Sequence, residues 1–284
     1  MGNSELRRAA FYTPKGGIGK TTSTGHIGAA AASEHDLDVL LIDLAGTQND
    51  LATQFGIDDQ INDPDAPISA VFGENWEFIR NNIDDIVDRM VFETNEGPDL
   101  IPADSGLGGA DNNLANVPRE ERYTKLEAFI ASEIEPRYDL VLLDLPGKDD
   151  NITINGLFAA ENVVAPLKPG EFERSQLESL EAELEAIRED DDHDATPSLR
   201  LVFATMIDQT TNLSTEFASD LESEYPEISG PSVANTANIG NGQADGRTLF
   251  AFEEDELYNT GMRARKSYRT LTADLLERLG GDDE

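Results

Sequence analysis

Cysteine is absent from the 284-residue chain, which excludes disulfides, thiolate-bound zinc and cysteine-ligated iron–sulfur clusters. Histidine is scarce: the 3 present, His26, His35 and His193, show no metal-ligand spacing. His26 lies on a helical stretch and reads as a packing or surface residue rather than a ligand. No stretch approaches the roughly 18 apolar residues that a membrane span needs. The segment Met1-Gly-Asn-Ser-Glu-Leu-Arg-Arg8 has no apolar h-region and does not read as a signal peptide. A cytoplasmic location is the expectation.

Positive charge is equally scarce. Lys and Arg number 21 against 57 Asp and Glu, for a net charge of −36. A field of that sign repels nucleic acid and anionic membranes alike. The acids are spread along the whole chain, Lys is rarer than Arg, and hydrophobic periodicity persists beneath them. Molar salt screens such self-repulsion within a few ångströms. The pattern fits a salt-adapted cytosol, for which a halophilic archaeon is the natural source.

Apolar strand-like runs alternate with helical patterns, which predicts an α/β fold: a mostly parallel twisted sheet with helices on both faces. Strands are expected at Ala9–Tyr12, Val39–Ile42, Asp99–Ile101, Leu140–Leu143, Asn162–Ala165 and Leu199–Ala204. Helices are expected at Lys20–Ser33, Arg119–Ile134, Asn151–Ala160, Phe172–Glu189, Ser214–Glu224 and Glu254–Leu279. Residues 60–92 form a less regular insert whose Trp76–Met90 part reads as an amphipathic helix. Glu189–Asp194 and the tail Gly280–Glu284 are solvated acidic segments. Without repeats or linkers, residues 1–284 read as a single domain.

Between the first strand and the first long helix lies Lys15-Gly-Gly-Ile-Gly-Lys-Thr-Thr22. Glycines let a backbone wrap an anion so that several N–H groups point inward, and the helix N-terminus adds its dipole. Gly16, Gly17, Ile18, Gly19, Lys20, Thr21 and Thr22 are therefore the expected phosphate-binding residues of a P-loop NTPase. Lys20 is placed to reach the β- and γ-phosphates, and the Thr21 hydroxyl to ligate Mg²⁺. The strict G-x-x-x-x-G-K-[ST] pattern fails because residue 14 is Pro.

This loop resembles the deviant Walker A motif of the ParA/MinD family of partition and positioning ATPases, in which a Lys replaces a spacer residue. The resemblance implies that Lys15 crosses a dimer interface to the partner's nucleotide, stabilising transferring charge in trans. Other blocks agree over nearly the whole length. Val39-Leu-Leu-Ile-Asp-Leu44 looks like the second family motif, with Asp43 beside the Mg²⁺ shell. Leu100-Ile-Pro-Ala103 resembles the family's strand ending. Tyr138-Asp-Leu-Val-Leu-Leu-Asp-Leu-Pro146 looks like Walker B, delivering Asp144 to the metal. Ile152–Ala160 and Val163–Leu167 resemble the switch II helix and its following strand. Phe203-Ala-Thr-Met-Ile-Asp208 is similar to the strand end that approaches the base, so Met206 and Asp208 are the expected base contacts. The implied cofactors are ATP and Mg²⁺, and the implied state is an ATP-bound homodimer.

One position departs from the family. Its second motif usually reads Asp-x-Asp, and the second Asp orients the attacking water; here the residues are Asp43-Leu44-Ala45. Ala45 can neither accept a proton nor hold a water. Either hydrolysis is very slow and the protein is mainly a dimerisation switch, or Gln48, Asp50 or Asp149 positions the water; an engineered Asp-to-Ala change is a third reading.

Partition ATPases bind DNA without sequence preference as ATP dimers, and a ParB-like partner triggers release. Arg263, Arg265, Lys266 and Arg269 form the densest cationic cluster and are the expected DNA-binding residues, with Arg7 and Arg8 as a smaller patch. The alternative reading pairs these arginines with surrounding acids. The rival function is a MinD-like or cargo-positioning ATPase that recruits protein partners. Tyr268, Leu271, Leu275, Leu276 and Leu279 recur at helical spacing and read as a core-facing stripe; the acidic tail after them disfavours lipid. Nitrogenase-iron-protein and arsenite-pump relatives need cysteines and are excluded, tyrosine kinases of the superfamily lack their Tyr-rich tail here, and small-substrate ligases match the blocks after residue 144 less well.

Overall fold

The structure, a computed structural model, describes residues 6–46, 49–61, 66–170, 173–190 and 193–280. The acidic tail expected after residue 280 lies outside them. The strands are β1 (Arg7–Phe11), β2 (Val39–Asp43), β3 (Phe92–Glu93), β4 (Asp99–Ile101), β5 (Leu140–Asp144), β6 (Asn162–Leu167) and β7 (Ser198–Ala204). They form one seven-stranded sheet in the order β3-β4-β2-β5-β1-β6-β7. Every pairing is parallel except the β3–β4 edge. The expected mostly parallel sheet is the one observed.

The strand sequences explain why both faces are covered. Residues alternate sides along a strand. In β1 and β2, Ala10, Leu40 and Ile42 enter one apolar layer while Ala9, Phe11, Val39 and Leu41 enter the other. The first layer is closed by α4 (Leu107–Leu114), α6 (Lys125–Phe129), α7 (Asn151–Ala160), α8 (Glu173–Arg188) and α9 (Asn212–Glu224). The second is closed by α1 (Lys20–His35), α2 (Asp50–Gln54) and α11 (Asn259–Gly280). Tyr268, Leu271, Leu275 and Leu276 of α11 are buried, so the expected stripe faces the sheet.

The departures are in short or irregular elements. The expected helix 119–134 is broken into α5 (Arg119–Arg122), α6 and a wider turn over Ile130–Ile134. The helix in the insert, α3 (Trp76–Asn82), ends well before Met90; Asp85 turns left-handed at φ 58°. Trp76 packs edge-on against Phe129 and anchors it. The last helix starts at Asn259; Glu254–Glu256 is a separate tight turn closed by a capping box. Helices α2, α4 and α10 (Ala237–Asp245) were not expected, because Leu-Gly-Gly-Ala-Asp-Asn-Asn-Leu and Ala-Asn-Ile-Gly-Asn-Gly-Gln-Ala-Asp read as loop composition.

Candidate functional site

The parallel strands β1, β2 and β5 end together, and the residues singled out in the sequence gather at that end. From β1 the chain enters the loop Thr13–Gly19, in which Gly17 (φ 72°) and Gly19 (φ 86°) take left-handed conformations that other residues resist. Gly19 then caps the N-terminus of α1. Gly16 and Gly17 are exposed, with open space where a Cβ would stand. Lys20 is only 7 % exposed and folds back over the loop, donating to the carbonyls of Lys15 (2.7 Å) and Thr13 (3.4 Å). Burial lowers its pKa, opposed by the charge of Asp144. Lys15 is exposed at the rim. Ile18 is buried and anchors the loop.

Beneath the loop lies a pair of carboxylates. Asp43 and Asp144 close β2 and β5 as direct cross-strand neighbours, and both are buried. The Thr21 hydroxyl donates to Asp144 Oδ2 at 2.6 Å, while Asp144 Oδ1 is buried with no hydrogen-bond partner. Asp43 Oδ1 accepts from the Ala45 amide at 2.9 Å. Burial pushes the Asp43 carboxyl up to about 6, with a smaller push from Asp50 and opposition from the Ala45 and Leu51 amides. Asp144 is raised well above the usual carboxylate range by burial and by Asp43, against the pull of Thr21 and Lys20. The Thr13 hydroxyl is likewise buried and unpartnered.

Ala45 sits beside this pair with only a methyl group to offer. Of the groups considered for its missing role, Asp50 is the one whose charge acts on both buried carboxylates. Asp149 acts instead on Tyr12 and Glu183, where the tyrosine hydroxyl donates to the carboxylate at 3.0 Å. Gln48 lies outside the described residues.

Gly147 was missed by the sequence reading. A Cβ there would stand 2.7 Å from the backbone C and O of Lys15 and 3.0 Å from the Gly16 nitrogen. Only glycine lets the chain after Walker-B-like Asp144 lie against the phosphate loop. Its spacing, three residues after that Asp, was the available signal.

At the end of β7, Met206 (φ 55°) reaches the loop from the other side: its Cε would be 3.6 Å from a Cβ on Gly19. Asp208 is exposed and engaged in its own turn, accepting from the Thr210 hydroxyl (2.7 Å) and amide (2.9 Å), bonds that lower its pKa.

The cationic cluster divides. Arg265 is a correction: it is 8 % exposed, donates to the Phe252 carbonyl at 2.9 Å and lies 3.9 Å from Glu254, so it faces inward. Arg269 is exposed but paired with Glu34 at 2.5 Å. Arg8 is half-buried, paired with Glu135 at 3.2 Å and donating to the Ala159 carbonyl at 3.4 Å. Helical phase is the reason for the first, since Arg265 lies on the buried side of α11 with Tyr268. Arg263 and Lys266 remain exposed. They line a cleft of about 260 Å³ with Gln209, Ser232, Ser267 and Thr270, and Arg263 bonds the Gln209 side chain.

No described helix is long and apolar enough to cross a membrane. The profile of an AAA-domain family, AAA_31, matches residues 6–199. The chromosome partitioning protein ParA of Caulobacter vibrioides is 27% identical over 281 residues, covering 98% of this chain and 97% of that protein. The chromosome-partitioning ATPase Soj of Thermus thermophilus is 31% identical over 229 residues, covering 80% of each. Among solved structures, a cobyrinic acid a,c-diamide synthase from Mycobacterium smegmatis with a bound ATP analogue and magnesium superposes with a TM-score of 0.71 at 23% identity, covering 96% of this chain and 95% of that one. The fold alone therefore does not separate this chain from that synthase, whereas the sequence relatives are partition proteins. The chain belongs to this AAA-domain family and to its ParA/Soj group of partition ATPases.

Proposed function

We propose that the protein is a ParA-like switch that dimerises on ATP and Mg²⁺, binds DNA without sequence preference as the ATP dimer, and so partitions plasmid or chromosome. The observation that carries the reading is the Thr21–Asp144–Asp43 set beneath a glycine loop, with both carboxylates buried. An orphaned carboxylate oxygen and two carboxyl groups raised by burial are the signature of a place built for a cation. Among the described residues no group of three or more His, Cys, Asp or Glu is arranged around a metal. A cation here would therefore complete its shell with water and phosphate, as Mg²⁺ does.

Each residue then has a task. The loop amides and Lys20 hold the phosphates, Lys20 moving from the carbonyls it now bonds. Thr21 and Asp144 would hold the metal, with Asp43 as the neighbouring carboxylate, and Mg²⁺ held there would supply positive charge against that developing on the phosphoryl oxygens. Lys15, exposed at the rim, serves the partner's nucleotide across the dimer. Met206 lies where the nucleoside leaves the loop, with Asp208 beyond it. Ala45 supplies no carboxylate for the attacking water, so turnover is slow and depends on a ParB-like or other stimulating partner. On the DNA side, Arg263 and Lys266 supply the contacts. The location is cytoplasmic and nucleoid-associated. The rival reading, positioning of protein cargo, draws its support from the net charge of −36.

Sedimentation in molar KCl tests the switch. Wild type should dimerise with ATP and remain monomeric with ADP, Lys15→Ala should lose the dimer but bind ATP, and Lys20→Ala should bind no nucleotide. Tight binding by Lys20→Ala would remove the assignment of the phosphate loop.

A further inference from the structure

Thr22, in the first turn of α1 just after the phosphate loop, is gripped by side chains from its own helix and two others. Its hydroxyl accepts from Gln243 Nε2 of α10 at 3.1 Å. Its carbonyl accepts from Gln54 Nε2 of α2 at 3.3 Å and from His26 Nδ1 at 2.7 Å. The His26 tautomer follows from its neighbours: Nε2 faces the Leu249 amide at 3.1 Å, and an amide N–H can only donate, so the proton sits on Nδ1. The buried ring stacks on Tyr268 of α11 at 4.6 Å. The start of α1 is thus tied by hydrogen bonds to α2 and α10, and by the His26 ring stack to α11.

A hydroxyl carries one proton. Because Gln243 donates to Thr22, the Thr22 proton is left for another acceptor, and an anion in the loop is such an acceptor. Helix α10 is suited to respond. Gly240 and Gly242 leave this nine-residue helix weak on its own, so its order depends on contacts like this one. Its end also rests backbone to backbone on the turn that follows α2: a Cβ on Gly246 would stand 2.4 Å from Gly56 Cα.

We propose that Gln243 is a positioning residue that aims the Thr22 hydroxyl at the nucleotide phosphates and, through the same bond, transmits loop occupancy to α10 and the cation-bearing start of α11. This rests on the nucleotide-site reading above. Coupling of this kind is reciprocal, so a more ordered α10 also tightens nucleotide binding.

Hydrogen–deuterium exchange of the full chain in molar KCl, without nucleotide and with ATP and Mg²⁺, tests it. Peptides spanning 237–245 and 259–270 report the response, and a peptide spanning 13–24 reports loop occupancy. In wild type both regions should gain protection. Gln243→Met keeps the length but removes the donor. It should weaken binding about fivefold, the worth of one neutral hydrogen bond, keep protection at 13–24, and lose it at 237–270. Gln243→Glu, which competes for the Thr22 proton, should bind about tenfold more weakly than Gln243→Met. A wild-type response in Gln243→Met, or wild-type helices indifferent to nucleotide that the loop peptide registers, would overturn the proposal. If the wild-type loop peptide itself gains no protection, the nucleotide-site reading fails first and the proposal falls with it.

Discussion

Removing the Asp43 carboxylate should stabilise the protein when no nucleotide is present. The Asp43 carboxyl titrates at about 6 in the folded chain, chiefly because burial penalises its charge, and at about 3.9 when unfolded. Above pH 6 the group is ionised in both states and the fold bears the full cost. Below about pH 4 it is protonated in both and the cost vanishes. Between these limits the folded state binds more protons, so stability gained from this group rises as pH falls through 6. A shift of about 2 units corresponds to about 3 kcal/mol. Asp43→Asn is nearly isosteric, and its amide oxygen can still accept from the Ala45 N–H. It should therefore be more stable than wild type by up to about 3 kcal/mol at pH 7.5, with the gap closing toward pH 4. The assay is urea unfolding of both proteins in molar KCl with chelator, at a series of pH values. An Asp43→Asn protein no more stable than wild type at pH 7.5, or a gap that does not change with pH, would refute the argument that burying the Asp43 charge costs the fold stability.

Ala45→Asp should raise steady-state ATP turnover by about 100-fold, the lower end of what a positioned acid–base group contributes; an unchanged or lower rate would count against slow hydrolysis through a missing carboxylate. Gly147→Ala should cost about 1–3 kcal/mol, as overpacking does, because the new Cβ meets backbone of Lys15 and Gly16 rather than a yielding side chain. The same variant should weaken nucleotide binding, and calorimetry of both properties checks it. Molar KCl should raise the unfolding midpoint well above its value in dilute buffer, by screening a net charge of −36; an unmoved midpoint would remove the salt-adaptation argument.

The sheet was legible because its strands are short apolar runs ending in Asp43 and Asp144, set off by glycine and acid. The phosphate loop was legible because anion binding by backbone demands Gly16, Gly17 and Gly19 in register with Lys20. Other features are tertiary and leave no local trace. Gly147 reads as an ordinary turn glycine until the loop it touches is in place. Arg265 and Arg269 look equivalent in a linear cluster, and only the phase of α11 against the sheet turns one inward and leaves the other beside Glu34. Helix α10 is held by the Gln243 bond to Thr22, the close approach of Gly246 to Gly56, and Asn238, which donates to the Glu256 carbonyl and accepts from the Tyr258 amide, rather than by propensity, so its composition reads as loop.

The central claim is an ATP-controlled DNA switch, and duplex-DNA binding in molar KCl with ATP or ADP tests it most directly, comparing wild type with Arg263→Glu/Lys266→Glu. Binding that requires ATP and is lost in the double variant is the expected result. No binding at any salt the fold tolerates, or binding indifferent to nucleotide, would contradict the DNA switch and leave the positioning of protein cargo as the function.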